Sequence, residues 1–521
     1  MADKCNLPIN SIRNKTFKPI LMINQNKQFP EIRLITKIEP AEAIALFVRK
    51  KSTDIADGLR TAFGGNKAIA GIIKNHSFDA VRGAYQIHRL PQGMSFKALI
   101  LVGVGKAKNA DDERIRSVAA TVISKCRQNK WLQCVFVIPA NILKKRSHIQ
   151  PMVQGIWYNE YSFKNYKSNE TPKQGVKIKL WTKNQNNPVL QRELKESINT
   201  MRGVWLSKDL ANQPPNTLTP RAFKNFIQEH FKDFENFEVV IKDRKALKNE
   251  KFNLLLAVAD GSVQEPFLIE INYRPKRGVK HLALVGKGVT FDSGGLSLKP
   301  SASMPEMKYD MAGAATVVGL MDVIARTQPA LKVSACIATV ENMPGPRAYR
   351  PGDVIVGYNG KSVEVLNTDA EGRMILADAL AYTGKKHLPD YMFDFATLTG
   401  ACYVALGDQY AGLFCNDKAL SKSLRRAGMQ SGDKLWPMPL DRAYHKSLKS
   451  DIADIKNIGG RWGGAITAAK FLQFFVPGNT WAHIDMAGMS NDLTAPGYNS
   501  KNASGFGVRL LKTFIEKLTN L

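Results

Sequence analysis

Short apolar runs alternate with longer mixed segments along most of the chain. Between positions 30 and 165, "KALILVGVG" (Lys97–Gly105) and "WLQCVFVIPA" (Trp131–Ala140) are short, rich in β-branched residues and bounded by glycine or polar positions. That pattern predicts two buried strands. "DDERIRSVAATVISKC" (Asp111–Cys126) lies between them with helical periodicity and acids in its first turn. The three elements make a β-α-β unit, so the first domain is expected to be α/β.

Residues 183–190, "KNQNNPVL", are polar and read as a boundary; "QRELKESINTMRGVWLSKDLAN" (Gln191–Asn212) then predicts a connecting helix. "QPPNTLTP" stops it, because a residue before proline avoids the helical region. Beyond it, "HLALVGKG" (His281–Gly288), "KVSACIATV" (Lys332–Val340), "YMFDFATLTG" (Tyr391–Gly400) and "WAHIDMAG" (Trp481–Gly488) predict central strands. "DMAGAATVVGLMDVIART" (Asp310–Thr327) and "EGRMILADALAYTGKK" (Glu371–Lys386) predict helices. The expected fold is α/β, with a second mixed or parallel sheet flanked by helices on both faces.

Composition narrows the class. With 521 residues and 44% hydrophobic content, the chain can bury sizeable cores. No uncharged apolar run reaches roughly the 18 residues of a membrane span. The six cysteines stand apart, none in a CxxC pair, and the eight histidines form no HExxH. Reduced thiols in a cytoplasmic protein are expected, and any metal must rely mainly on oxygen ligands. The net charge of +29 is uneven: residues 1–200 hold 34 Lys+Arg and 14 Asp+Glu, a net of +20, which leaves +9 for the rest. Such a basic third is either a solvated lysine-rich surface or a face for nucleic acid or an acidic partner. The N-terminus has no apolar signal core; its four cations against one acid make a mitochondrial presequence the alternative to a cytoplasmic location.

Charged groups gather at the ends of the second set of elements. Lys287 follows a predicted strand, with Asp292 and Lys299 in the glycine-rich loop beyond; Asp310 opens a helix. "NTDAEGR" adds Asp369, Glu371 and Arg373 at every second position, which an extended segment would place on one side. Four carboxylates together repel unless cations sit among them. Oxygen-rich sites suit Mg²⁺ and Mn²⁺, and Zn²⁺ also accepts carboxylate. The residues alone reach as far as a two-metal hydrolase. "GVGK" at Gly103–Lys106 lacks the first glycine and the Ser/Thr of a phosphate loop and reads as structural.

"NTDAEGR" followed by "ILADAL", with "VGKGVTFDSGG", "MKYDMAGAA", "ENMPGPRAYRPGD", "ATLTGA" and "WAHIDMAG", resembles the leucyl aminopeptidase family, the M17 cytosol aminopeptidases. The resemblance is dense from Leu210 to Gly488 and faint in the N-terminal third. It implies a macro-like α/β domain over residues 1–185, a connecting helix over 186–212 and a catalytic metallopeptidase domain over 213–521. It further implies two divalent metal ions, Zn, Mn or Mg. One would sit on Asp292, Asp369 and Glu371; the other on Lys287, Asp292, Asp310 and Glu371. A metal-bridging hydroxide would attack, Lys299 would stabilise the gem-diolate, and Arg373 would hold a bicarbonate ion as general base. Met307, Thr397, Gly400 and Ala487 match positions lining an apolar pocket for the first side chain, so leucine-like residues at peptide N-termini are the expected substrates. A homohexamer is implied as well.

One departure stands out: the family's usual "TGRP" reads "SGFG" at Ser504–Gly507, where altered packing, not lost chemistry, is expected. The basic charge leaves two alternatives beside the enzyme. One is an abundant structural protein on this fold, as in insect sperm-type paralogues. The other is nucleic-acid binding through the basic N-terminal domain.

Overall fold

The computed structural model describes residues 28–519 apart from 50–53, 65–70, 72–77, 107–110, 138–148, 169–173 and the single positions 184, 279, 477, 495, 496 and 500. The N-terminal cations that suggested a presequence, and Cys5, lie outside the described residues.

Six strands form the first sheet: β1 (Glu31–Ile35), β2 (Ala43–Arg49), β3 (Tyr85–Arg89), β4 (Ala98–Gly105), β5 (Gln133–Val137) and β6 (Lys177–Trp181). They run in the order β1-β6-β5-β2-β4-β3, parallel except for β3. The predicted β-α-β unit is present as β4, the helix Asp112–Gln128 and β5, with β2 inserted between the two strands. Both faces of the central strands are apolar. Ala43, Ala45 and Phe47 join one core, while Ile44, Leu46 and Val48 join another on the opposite face. That is the two-residue period of a sheet covered on both sides.

The connecting helix spans Pro188–Asn212, three residues earlier than the sequence suggests. The stretch read as a boundary supplies its start: Asn187 accepts from the N–H groups of Val189 and Leu190, and Pro188 occupies the first turn. At 25 residues it is roughly 37 Å long. Its middle lies against the helix Ala312–Thr327 through facing glycines. A Cβ on Gly203 would come 2.3 Å from the Gly319 carbonyl oxygen, and one on Gly319 would come 2.5 Å from that of Gly203. Trp205 on the same helix donates its indole N–H to the Trp157 carbonyl, which ties the first sheet's layer to the second.

The second sheet has eight strands in the order β15-β14-β17-β13-β9-β10-β8-β7. These are β7 (Phe237–Lys242), β8 (Phe267–Tyr273), β9 (His281–Asp292), β10 (Lys332–Asn342), β13 (Tyr391–Ala396), β14 (Ala411–Cys415), β15 (Leu435–Pro437) and β17 (Trp481–Asp485). A small third sheet joins β11 (Val354–Val356), β12 (Ser362–Glu364) and β16 (Ile455–Lys456). The centre, β17-β13-β9-β10, is parallel, and antiparallel strands flank it. Asp292, Asn342 and Asp485 end β9, β10 and β17, and Thr397 follows β13. Polar side chains therefore collect at the carboxyl edge, where open α/β sheets place their ligands.

The "SGFG" stretch packs against the helix Ala312–Thr327. Thr316 donates to the Phe506 carbonyl at 2.7 Å, and the Gly507 N–H donates to Asp433 at 3.1 Å. Among the described residues no helix is long and apolar enough to cross a membrane.

Candidate active site

β9 runs past the predicted end at Gly288 to Asp292, so Lys287 lies inside the strand and not just after it. β9 continues to Asp292 along β10, whereas β13 stops pairing with it at Gly286. The departing β13 leaves its next carbonyl, that of Thr397, to accept from Lys287 Nζ at 3.2 Å. The same ammonium donates to Asp310 Oδ1 at 2.7 Å and pairs with Glu371 Oε1 at 2.8 Å.

The alternating charges of "NTDAEGR" are not on an extended segment. Asp369 stands on the turn, Glu371 is the first residue of the helix Glu371–His387, and Arg373 is in its first turn. The helix start accounts for one buried and one half-buried acid, since its positive end favours them. Arg373 is an exception to that rule and is held by burial and by a 2.7 Å hydrogen bond to the Asn457 carbonyl. Gly372 has a steric purpose here. A Cβ on it would come 2.5 Å from Lys287 Cε and 2.6 Å from Nζ.

A second lysine closes the cage. Lys299 pairs with Asp292 Oδ2 at 2.8 Å and with Asp369. Asp292 Oδ1 accepts from the Gly294 N–H and from Asn342 Nδ2, at 2.9 and 2.8 Å. Asp292, Asp369 and Glu371 offer ligand oxygens all within 4.8 Å of one another. Asp310 Oδ2 and Glu371 Oε2 are buried with no hydrogen-bond partner among the described residues. Buried carboxylate oxygens without donors are costly unless a cation meets them. The donor set therefore fits divalent metal ions.

The electrostatics agree. Burial raises Asp292 to about 6, and repulsion from Glu371 adds to it. Burial also pushes Asp310 well above the usual carboxylate range, and raises Asp369. For Glu371 burial works the same way, but Lys287 and Lys299 outweigh it and hold it low. Burial opposes the charge on Lys287, yet Asp310, Glu371 and Asp292 outweigh it and keep the ammonium protonated. Burial lowers Arg373 to about 10. Carboxylates crowded into apolar surroundings until they resist ionisation mark a functional cavity.

All seven ionic residues singled out in the sequence thus meet in one place. The pocket candidates lie beside them. Thr397 donates its hydroxyl to Asp310 Oδ1 at 2.8 Å. Met307 is half-buried on the 3-10 turn Ser301–Tyr309, three residues before Asp310. Gly400 opens the helix Gly400–Leu406, and Ala487 opens a short turn after β17. Asp485 joins these walls, accepting from the N–H groups of Leu398, Thr399 and Ala487 and from the Thr399 hydroxyl. Sequence reading missed Asp485, Asn342, Asn457 and Gly372. The signal for the first two was a polar residue ending an apolar strand.

Gly372→Ala is expected to preserve the helix, since alanine is the better helix former. The new methyl would displace the Lys287 ammonium, and metal affinity or activity should fall by about 10–100-fold, as for other residues that orient ligands. Circular dichroism together with a metal titration checks both halves.

Comparison with known proteins agrees with this geometry. The catalytic-domain model of the cytosol aminopeptidase family matches residues 205–512, and the family's N-terminal domain model matches residues 43–170. A "Probable cytosol aminopeptidase" of Brucella suis biovar 1 (strain 1330) is 37% identical over 484 residues, covering 91% of this chain and 96% of its own. A solved tomato leucine aminopeptidase mutant superposes with a TM-score of 0.84 at 28% identity, covering 96% of this chain and 98% of its own. The bottromycin maturation enzyme BotP in complex with Mn gives 0.79 at 30% identity, covering 92% and 100%. The chain belongs to the M17 cytosol aminopeptidase family and is a metallo-exopeptidase, an enzyme that acts at the amino termini of peptides.

Proposed function

We propose that the enzyme removes the first residue from peptides with a free amino terminus, favouring leucine-like side chains, through two divalent metal ions held in the cage. The observation that carries this is the cluster of four carboxylates, three of them buried, around two lysines, with two buried carboxylate oxygens still lacking donors. Asp292, Asp369 and Glu371 would hold one ion, and Lys287, Asp292, Asp310 and Glu371 the other. The manganese bound by the structural neighbour supports a divalent cation, with zinc and magnesium as alternatives. When bound, the metals supply an activated water and polarise the scissile carbonyl.

The chain's own residues do the rest. Lys287 must give up a proton to act as a ligand, so metal loading would release one proton from its ammonium to solvent and leave the neutral amine in place. Lys299, its side chain 16% exposed at the rim of the cage, would present its Nζ to the oxyanion of the attacked carbonyl. Arg373 offers a buried guanidinium to an anion such as bicarbonate, which would take the proton of the attacking water. Met307, Thr397, Gly400 and Ala487 would receive the first side chain. The residues present favour an enzyme over a structural protein on the same fold, because every ionic member of the cage is in place.

The domain division 1–185, 186–212 and 213–521, a homohexamer and a cytoplasmic location belong to the same proposal. Family membership supports the last two, and the two separate sheets support the first.

The test is release of leucine from a leucyl dipeptide by purified protein with Mn²⁺ or Zn²⁺ and bicarbonate. Turnover is expected with metal, none after chelation, and none from the N-acetylated dipeptide. Two bound metals per chain with no turnover would overturn the proposal.

A further inference from the structure

We infer that Trp462 grips the peptide downstream of the bond that is cut, and that the enzyme favours peptides with an aromatic third residue. This rests on the aminopeptidase reading of the cage.

The loop that carries Trp462 is anchored beside the site at both ends. At one end, Asn457 accepts from Arg373 and holds the segment before Asp369. Its Oδ1 accepts from the N–H groups of Leu366 and Asn367 at 2.8 and 3.3 Å, and its Nδ2 donates to the Asn367 carbonyl at 2.7 Å. At the other end, Gly464 lies against Ala401, where a Cβ would come 3.2 Å from the alanine's own. Ala401 adjoins Gly400 of the pocket wall. Residues 458–463 therefore run from the rim of the cage to the wall that receives the first side chain.

Trp462 is 82% exposed on that loop, while Trp131, Trp157, Trp205 and Trp481 are buried. Other large apolar side chains stand exposed on the segments around the same opening. Leu298 is next to Lys299, Leu366 is three residues before Asp369, and Tyr403 and Val404 are on the helix that Gly400 opens. The Leu298 loop is tied to the Leu366 segment by two hydrogen bonds between Ser297 and Thr368, at 2.8 and 3.1 Å. Exposed apolar side chains thus stand on four segments that border the charged cage, an apolar collar in this reading. Exposed apolar patches rimming a polar site mark places where a partner is bound.

A peptide is the occupant that fits both parts. Its reacting end belongs in the cage, and its downstream side chains fall on the collar. An extended peptide advances about 3.3–3.6 Å per residue. The residue directly after the scissile bond would then lie against the rim at Asn367, which Asn457 holds, and the third residue beyond it on the collar. The Arg461 guanidinium lies 5.3 Å from the centre of the Trp462 ring, which leaves the rest of the indole open to a second aromatic group.

The experiment compares kcat/KM for Leu-Ala-Phe-amide and Leu-Ala-Ala-amide on the manganese-loaded full chain, with leucinamide as the reference substrate. The amides remove any pairing of a terminal carboxylate with Arg461. The wild type is expected to favour the phenylalanine peptide by about three- to tenfold, the range of an aromatic pair. Trp462→Phe should keep that ratio and Trp462→Ala should bring it to about one. A wild-type ratio of one, or a preference that survives Trp462→Ala, overturns the inference while leucinamide turnover leaves the aminopeptidase reading standing. No turnover of any of the three substrates overturns both.

Discussion

Glu371→Ala is expected to purify as a folded protein that no longer holds two metals and has lost nearly all turnover. Glu371 is the one side chain in contact with Lys287 that also lies within ligand distance of Asp292 and Asp369. Its removal takes an oxygen from both proposed metal positions. The loss should exceed the roughly 10–100-fold that residues merely orienting a ligand cost. Breaking a buried pair ordinarily destabilises by about 3–5 kcal/mol, because it strands a charge. Here that loss is offset by relieved repulsion. Glu371 is also the carboxylate whose repulsion raises Asp292, Asp310 and Asp369, and Lys287 keeps Asp310 as a partner. The metal-free variant should therefore melt close to the metal-free wild type. What disappears is stabilisation by added metal, about 2.7 kcal/mol when the free ion is a hundredfold above its dissociation constant. Elemental analysis and thermal melts with and without Mn²⁺ decide the matter. A variant that retains two metals and full turnover would remove Glu371 from the site.

Why the sequence revealed this site so fully, and the fold around it less fully, has a physical explanation. Buried ionic side chains are rare, and a string such as "NTDAEGR" has few uses. The strands were legible because both faces of each central strand are covered, giving unbroken apolar runs such as "ALILVGVG" in β4. Element ends were less so. Lys287 reads as lying past a strand because a cation ends an apolar run, yet β9 carries it inside, since its neighbour β13 has already turned away. The "NTDAEGR" spacing suggested an extended segment, because a period of two looks the same wherever the backbone bends. The residues that brace the cage were missed for another reason. Asp485 reaches Leu398 and Thr399 from a strand nearly ninety residues away, and Asn342 reaches Asp292 across fifty. A polar residue at the end of an apolar strand marks each of them, but nothing local names the partner it reaches.

Lys299→Ala should give the reverse phenotype: metal retained and chemistry lost. Lys299 contributes no oxygen, and in the metal-free cage its ammonium neutralises Asp292 and Asp369. Burial works against that charge, and the surrounding carboxylates outweigh it. Without the ammonium those carboxylates face each other unshielded, so the metal-free variant should be less stable than the wild type. The same excess of negative charge should hold divalent ions at least as firmly. Turnover is a separate matter, because the ammonium is proposed to meet a charge that exists only as the carbonyl is attacked. Removing such a donor costs about 10²–10³ in kcat, with KM little changed, since the ground state never used it. Lys299→Arg keeps the charge but exchanges a compact point donor for a planar fork, and should recover only part of the rate. Two bound metals with a wild-type kcat in Lys299→Ala would reduce Lys299 to a counter-ion of the empty cage. Two bound metals with kcat down by two orders or more would separate the residue that stabilises the transition state from those that hold the metals.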